Sequence, residues 1–195
     1  MLFGAVVGGT IAAKVPYVFR DTDALLSGRV WLEGGRTLTL GLLGGYLGVE
    51  VAKLSLGIKE KTGDALAAPL AVSVGTGRLA CFVGGCCFGV PSTLPWAHDF
   101  GDGVPRHPTQ LYEAMFHFGA AAALVWLAKR GWLARQRVKA YLGAYFFYRF
   151  VTEWIRPEPR GPLGLTMYQW TSLFGLIVMG VLWEIDRRSA ALSPE

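Results

Sequence analysis

Six apolar stretches, separated by connectors that carry most of the charged residues, form the main pattern of the 195-residue chain. They cover residues 2–19, 38–56, 66–88, 110–128, 141–155 and 166–185. Most have the length of about 17–25 residues that a helix needs to cross a bilayer. We therefore predict an all-α integral membrane protein. It would be a polytopic bundle of about six transmembrane helices, forming a single domain over residues 1–195.

Composition favours the same class of protein. Hydrophobic residues make up 52% of the chain and charged residues 17%, whereas soluble domains carry about 25% charged residues. The mean hydropathy is +0.37. The net charge of +5 is too small to indicate nucleic-acid binding. We expect a membrane as the surroundings, no nucleic-acid partner and no cofactor.

The lysines and arginines predict an orientation. Ten of the nineteen fall in connectors on one side of the predicted bundle and six in connectors on the other. Because positive residues are retained on the cytoplasmic side of membranes, we expect both termini in the cytoplasm. Residues 91–107 and 156–165 would then face outward. In the second apolar stretch, Gly41, Gly44, Gly45 and Gly48 form a small-residue face suited to helix packing.

Residues 77–112 concentrate the candidate chemistry. Arg78 places a permanent charge in apolar surroundings, and an ionisable residue within a membrane segment is a functional-site hypothesis. Several glycines follow it, and glycine suits irregular backbone that lines a cavity. We therefore expect the third stretch to end in a Gly-rich re-entrant or broken segment.

Arg78 and Arg149 are candidates for contacts with an anionic lipid headgroup, because a guanidinium offers two parallel donors to phosphate oxygens. This interpretation is favoured for Arg78. For Arg149, an ion pair with Glu153 explains the residue equally well, since positions i and i+4 face each other on a helix.

Cys81, Cys86 and Cys87 lie close to Arg78 in the sequence. A cysteine in an apolar segment is most often a small packing residue. A nearby cation, however, increases the thiolate fraction, so three other roles stay open: a nucleophile or acceptor, a redox pair, and soft metal ligands. The spacing matches no zinc motif, and we place a metal last.

His107 precedes a proline that is favourable at a helix start, which predicts a position at a helix N-terminus. There it could relay a proton or contact phosphate, or it could simply cap the helix. Gln110 and Glu113 lie one helical turn apart and are expected to face one cavity. His117 carries no signal beyond packing, and the aromatic residues at 145–148 are expected to face lipid or the interface.

Several motifs together resemble those of the prolipoprotein diacylglyceryl transferases. The segment GRLACFVGGCCFGVPSTLPW, followed by RHPTQLYEAMF, is similar to the family's patterns GRxGNFxNxExxGxPT and RHPxQLYE. LLGGYLG at 42–48 resembles the HGGLxG segment, and YRFVTEWIRPEP at 148–159 resembles the RxxxExxR segment. The likeness covers nearly the whole chain after the first stretch. The family's N-terminal portion has no counterpart, which favours six spans rather than seven.

The departures from the family define a cysteine-substituted signature. Leu43 stands where the family has a histidine, and Cys81 stands where it has an asparagine. Gly84 replaces a second asparagine and Cys86 replaces a glutamate. Because of these replacements we expect Cys81 and Cys86 to line the cavity, with Cys87 as a packing residue.

The resemblance implies a transferase of the bacterial plasma (inner) membrane that acts in lipoprotein biosynthesis. It would transfer the diacylglyceryl group of phosphatidylglycerol, or a related phospholipid, to a thiol of a lipoprotein precursor. No metal is expected. The expected catalytic residues are Arg78, Arg149, Cys81, Cys86 and His107. The expected substrate-binding residues are Gly44, Gly45, Gly89, Arg106, Gln110, Tyr112, Glu113, Glu153 and Arg156.

Two other functions stay open. One is a divergent membrane enzyme that uses a cysteine of the 81–87 segment as nucleophile or redox pair. The other is a phospholipid-binding membrane protein without catalytic activity.

Overall fold

The computed structural model describes residues 1–20, 31, 35, 37–58 and 62–192. These residues confirm a mostly helical protein. The predicted connectors at 20–35 and 59–61 lie largely outside the described residues. The helices are α1 (Leu2–Arg20), α2 (Leu38–Ser55), α3 (Gly63–Val83), α4 (Thr109–Lys129), α5 (Arg137–Thr152) and α6 (Met167–Leu192).

Helices α3 and α4 are long enough and apolar enough to cross a membrane. A shorter apolar segment, Leu2–Val18, occupies most of α1. The helices begin and end close to the predicted stretches, with two exceptions. α3 ends at Val83 rather than continuing to residue 88, and α6 continues to Leu192, beyond the predicted end at 185.

α1 and α2 pack along what we call the glycine seam, formed by Gly4, Gly8, Gly44 and Gly48. A Cβ atom added at Gly48 would overlap the carbonyl oxygen of Gly4, and one added at Gly8 would overlap that of Gly44. Glycines spaced four residues apart let transmembrane helices approach this closely. The small-residue face predicted for the second stretch is therefore confirmed as a packing surface.

α5 lies at the centre of the bundle, where it contacts α2, α3, α4 and α6. Tyr145 and Phe146 on α5 are completely buried in the hydrophobic core. The expectation that these two aromatic residues face lipid or the interface was therefore wrong. A helix with neighbours on most sides turns its bulky residues inward, and Phe147 is the residue of this aromatic run that is well exposed.

The connector between α3 and α4 runs beside the start of α4. It contains a two-stranded hairpin, β1 (His98–Asp99) paired with β2 (Pro105–Arg106). Gly89 donates its N–H to the carbonyl of His107 at 2.9 Å, and Val90 donates to the carbonyl of Ile155 at 2.9 Å. The second of these bonds fixes the connector against the short 3₁₀ turn Glu153–Ile155 that follows α5.

Candidate active site

Glu113 of α4 joins three structural elements in the middle of the bundle. Its side chain is completely buried, and its Oε1 atom accepts a hydrogen bond from the Tyr145 hydroxyl at 2.7 Å. Oε1 also lies 3.2 Å from Nε of Arg78 on α3. Oε2 accepts a hydrogen bond from Arg156 at 2.9 Å. One carboxylate therefore holds two guanidinium groups that approach from different parts of the chain.

A second buried pair lies next to the first. Arg149 donates from Nη2 to Glu153 at 2.7 Å, and Glu153 also accepts a hydrogen bond from the Thr166 hydroxyl at 3.1 Å. The ion pair considered for Arg149 from the i, i+4 spacing is thus present. Nη1 of Arg149, however, is buried and has no hydrogen-bond partner. The residues Arg78, Glu113, Tyr145, Arg149, Glu153 and Arg156 are called the charged centre below.

A cavity of about 890 Å³ opens beside the charged centre. Arg78, Arg149 and Arg156 contribute to its wall, together with Tyr145 and Tyr168. The rest of the wall is mostly small or apolar, with contributions from α1, α2, α3 and the connector. These lining residues include Ala13, Leu38, Gly41, Val74, Gly77 and Phe88. Cationic groups and a largely apolar wall together suit an amphiphile with an anionic headgroup.

The segment after α3 brings the three cysteines together. Their sulfur atoms all lie within 4.8 Å of one another. Cys81 and Cys87 line the cavity, whereas Cys86 does not contribute to the wall. The expectation that Cys86 lines the cavity and Cys87 only packs was wrong. Gly85 and Cys87 both have positive φ angles, 62° and 63°, so the backbone turns here instead of continuing α3.

The family model described as prolipoprotein diacylglyceryl transferase matches residues 1–185. The chain belongs to this family. No solved structure matches the chain.

Three relatives are named phosphatidylglycerol–prolipoprotein diacylglyceryl transferase. The protein of Clostridium tetani is 28% identical over 96% of this chain and 80% of the relative. That of Methylococcus capsulatus is 32% identical over 96% of this chain and 76% of the relative. That of Cupriavidus metallidurans is 33% identical over 98% of this chain and 77% of the relative. The similarity to prolipoprotein diacylglyceryl transferases therefore extends over almost the whole chain.

The RHPTQLYE motif, which is shared with the prolipoprotein diacylglyceryl transferases, occupies the start of α4. His107 Nδ1 lies 3.3 Å from the Tyr112 hydroxyl, which accepts a hydrogen bond from Trp96 at 2.7 Å. The helix itself begins at Thr109. His107 thus lies just before the helix, as predicted, and its ring is fixed by an aromatic neighbour.

Arg106 lies on the outer hairpin, away from the ion pairs of the charged centre. Its guanidinium forms two hydrogen bonds of 2.6 Å with the Asp102 carboxylate and lies 4.7 Å from the ring centroid of Phe88. The hydrogen bonds from Arg106 hold the pKa of the Asp102 carboxyl below its usual range. Because Phe88 lines the cavity, Arg106 packs against a residue of the cavity wall.

Gln110 and Glu113 were expected to face the cavity, but both side chains are completely buried behind its wall. Gln110 donates a hydrogen bond to the carbonyl of Cys86, and Thr109 donates one to the carbonyl of Cys87 at 2.8 Å. These two bonds fix the cysteine segment onto α4. Gly89, which follows the cysteine segment, packs closely against the 3₁₀ turn, since a Cβ atom there would lie 2.6 Å from the carbonyl oxygen of Ile155.

Gly44 and Gly45 were expected to bind substrate, but neither lines the cavity. Gly44 is buried against α1 in the glycine seam, so its role in the described residues is helix packing. Gly41, one turn earlier on α2, is the glycine of this segment that reaches the cavity wall.

Reasoning from the sequence missed His117. Its side chain is completely buried, Nδ1 lies 2.9 Å from the Tyr141 hydroxyl, and Nε2 lies 4.0 Å from Oε1 of Glu113. The available signal was the i, i+4 spacing of Glu113 and His117 on α4. Thr166 was missed as well, because its partner Glu153 lies in a different part of the sequence.

Proposed function

We propose that the protein transfers the diacylglyceryl group of phosphatidylglycerol, or of a related phospholipid, to the thiol of a lipoprotein precursor. Family membership and the names of the relatives support this activity. The observation that carries it is the cavity: three guanidinium groups at a largely apolar wall, with Nη1 of Arg149 unpaired. A buried donor without a partner is costly, and a phosphate oxygen would satisfy it.

In this reaction the acceptor thiol loses its proton, and its sulfur attacks the glycerol carbon that carries the phosphate. A carbon–sulfur bond forms while the carbon–oxygen bond to phosphate breaks, so that glycerol phosphate leaves. The leaving group gains negative charge as that bond breaks. We assign stabilisation of this charge to Arg78 and Arg149, which line the cavity, because stabilisation of developing charge is the largest contribution in many enzymes. The thiol proton can pass to the departing glycerol phosphate, because His107, which was expected to relay a proton, does not line the cavity.

We further propose that the helices form one multi-pass domain in the bacterial plasma membrane. Residues 91–107, which include the hairpin, and residues 156–165 would face outward, as the positive-inside rule predicts. The irregular end of α3 would form the Gly-rich broken segment that lines the cavity, because non-helical backbone at membrane depth must be covered by protein. α3 and α4 support this arrangement by their length and composition.

The test of the phosphate-binding role is replacement of Arg78. Arg78→Ala should lower transfer from phosphatidylglycerol to a lipoprotein-precursor peptide by at least about 100-fold, as for loss of one charge-stabilising donor. Arg78→Lys should restore little, because an ammonium cannot reproduce the two parallel donors. Phospholipid that co-purifies with each variant is quantified by mass spectrometry.

The matched control is Arg187→Ala, which removes an arginine from an exposed ion pair on α6. It should leave both transfer and bound lipid unchanged. Wild-type transfer and wild-type lipid content in folded Arg78→Ala protein would refute the phosphate-binding role.

A second candidate function rests on the position of Cys81 and Cys87 on the cavity wall. In it, the sulfur of one of these thiols attacks the glycerol carbon, glycerol phosphate leaves and a thioether with the enzyme forms. The thiol of the acceptor then attacks the same carbon, and the enzyme's sulfur leaves as a thiolate. Intact-mass analysis after incubation with phosphatidylglycerol distinguishes the two functions. A diacylglyceryl adduct that disappears in the Cys81→Ala/Cys87→Ala double variant, together with the activity, would support the second. Full activity of that double variant without an adduct would support direct transfer to the peptide.

A further inference from the structure

The cluster formed by Cys81, Cys86 and Cys87 has the composition and size of a metal site. Three sulfurs bound to one ion at about 2.3 Å each lie roughly 4 Å apart. The three sulfur atoms here all lie within 4.8 Å of one another, so small side-chain rotations would bring them to that spacing. From this geometry we propose that the three thiols bind one Cu(I) ion.

The choice of ion follows from the ligands. Thiolates are soft ligands and select Cu(I) and Zn(II) among the first-row ions. Zn(II) in structural sites takes four ligands, and no histidine, aspartate or glutamate of the described residues joins the three sulfurs. Cu(I) accepts three thiolates in a plane, which matches the number that the cluster offers.

The protein holds the cluster in place before any ion arrives. The buried side chains of Thr109 and Gln110 fix the carbonyls of Cys87 and Cys86. The N–H of Cys86 donates to the carbonyl of Cys81 at 3.1 Å. Cys87 has a φ of 63°, a conformation that is rare for residues other than glycine and that clusters at functional sites. Loss of such supporting contacts commonly weakens metal binding.

Charge and access also suit a thiophilic cation. Binding of the ion to three thiols as thiolates releases their three protons. The bound complex would carry a charge of about −2, and Arg78 on the same cavity wall partly offsets it. Cys86 and Cys87 are exposed, so an ion can reach them.

The experiment measures copper bound to the purified, detergent-solubilised protein. Cu(I) is supplied with ascorbate and a competing chelator, and copper per chain is counted by mass spectrometry after desalting. We expect one ion per chain. X-ray absorption should show three sulfur neighbours. The chain has three cysteines in all, so replacement of all three with serine should abolish binding.

The single variants Cys81→Ser, Cys86→Ser and Cys87→Ser should each lower the affinity by more than about 100-fold, since even an outer partner contributes about 10- to 100-fold. Ser73→Ala changes another residue of the cavity wall and should leave the affinity unchanged. No retained copper, or wild-type affinity in any one of the three serine variants, would overturn the three-thiol site.

A measurement on the wild type tests the proposal even if the variants fail to fold. Iodoacetamide should modify the reduced protein at up to three positions, and bound Cu(I) should protect all three. Modification of any of the cysteines at the same rate with and without Cu(I) would contradict the proposal.

Discussion

At the glycine seam, α1 and α2 touch through their backbones, whereas at the charged centre α3, α4 and the segment that follows α5 are joined through side chains of opposite charge. The seam has no ionisable group: Gly48 of α2 lies against the carbonyl oxygen of Gly4. The charged centre depends on a few atoms, with both carboxylate oxygens of Glu113 engaged by guanidinium groups.

The difference reflects what can hold helices together in lipid. Lipid chains are as apolar as leucine, so helices gain little from hydrophobic burial against each other and associate through close packing or polar contacts. Close packing spreads its contribution over many small contacts. A buried ion pair concentrates its contribution in one group, and removal of one partner leaves an uncompensated charge. The charged centre should therefore be far more sensitive to a single substitution than the seam.

The largest expected effect is that of Glu113→Gln. It leaves Arg78 and Arg156 without their carboxylate in a buried position, which should lower the free energy of unfolding by about 3–5 kcal/mol. Thermal unfolding in detergent measures the loss. The control is Glu184→Gln, which breaks exposed ion pairs with Arg187 and Arg188 and should leave the unfolding midpoint nearly unchanged.

A second substitution tests the cause. If the loss comes from uncompensated cations, Arg156→Gln added to Glu113→Gln should recover part of the stability, since it removes one of the two charges. A double variant that is less stable than Glu113→Gln alone would show that Arg156 stabilises the bundle through other contacts. If Glu113→Gln had the same unfolding midpoint as the control, the charged centre would not be more sensitive to a single substitution than the seam.

The intermediate effect belongs to the seam. Gly48→Ala places a methyl group where the carbonyl of Gly4 already lies, so α1 and α2 must separate, at a cost of about 1–3 kcal/mol. Gly119→Ala is the matched control, because a Cβ atom at this helical position meets nothing within 4 Å. It should stabilise the protein by about 0.5–1 kcal/mol through helix propensity. Equal changes in the free energy of unfolding for the two substitutions would show that α1 and α2 are not closely packed at Gly48.

The sequence predicted the seam better than the charged centre. The spacing of Gly44 and Gly48 on one helix face is visible in the sequence, and so is the i, i+4 spacing of Arg149 and Glu153. Both are local patterns that a helix converts directly into a shared face. The apolar stretches likewise predicted the helices, because their length and composition need no knowledge of the packing.

Contacts between distant segments could not be predicted in this way. Arg156 and Glu113 are 43 residues apart, and only the packing of α4 against the end of α5 brings them to 2.9 Å. The misassigned Cys86 has a different cause: the prediction placed it at the cavity because it replaces the family's glutamate, and that replacement does not reveal the turn with positive φ angles at Gly85 and Cys87. A positive φ angle is common for glycine and rare for cysteine, so the turn at Cys87 could not be predicted from its residue type.

The smallest expected effect is at the outer hairpin, where the chemistry of the charged centre recurs in an exposed pair. Arg106 lowers the pKa of Asp102 by hydrogen bonding to its carboxylate. The pair therefore stabilises the hairpin above the ordinary pKa of aspartate, about 4, and the contribution is lost as the pH falls through the lowered pKa. Arg106→Gln should raise the Asp102 pKa towards its ordinary range, measured by NMR titration of ¹³C-labelled aspartate. The unfolding midpoint at neutral pH should not change measurably, because exposed pairs are screened by water and salt. A fall in that midpoint as large as that of Glu113→Gln would show that burial is not what separates the two pairs.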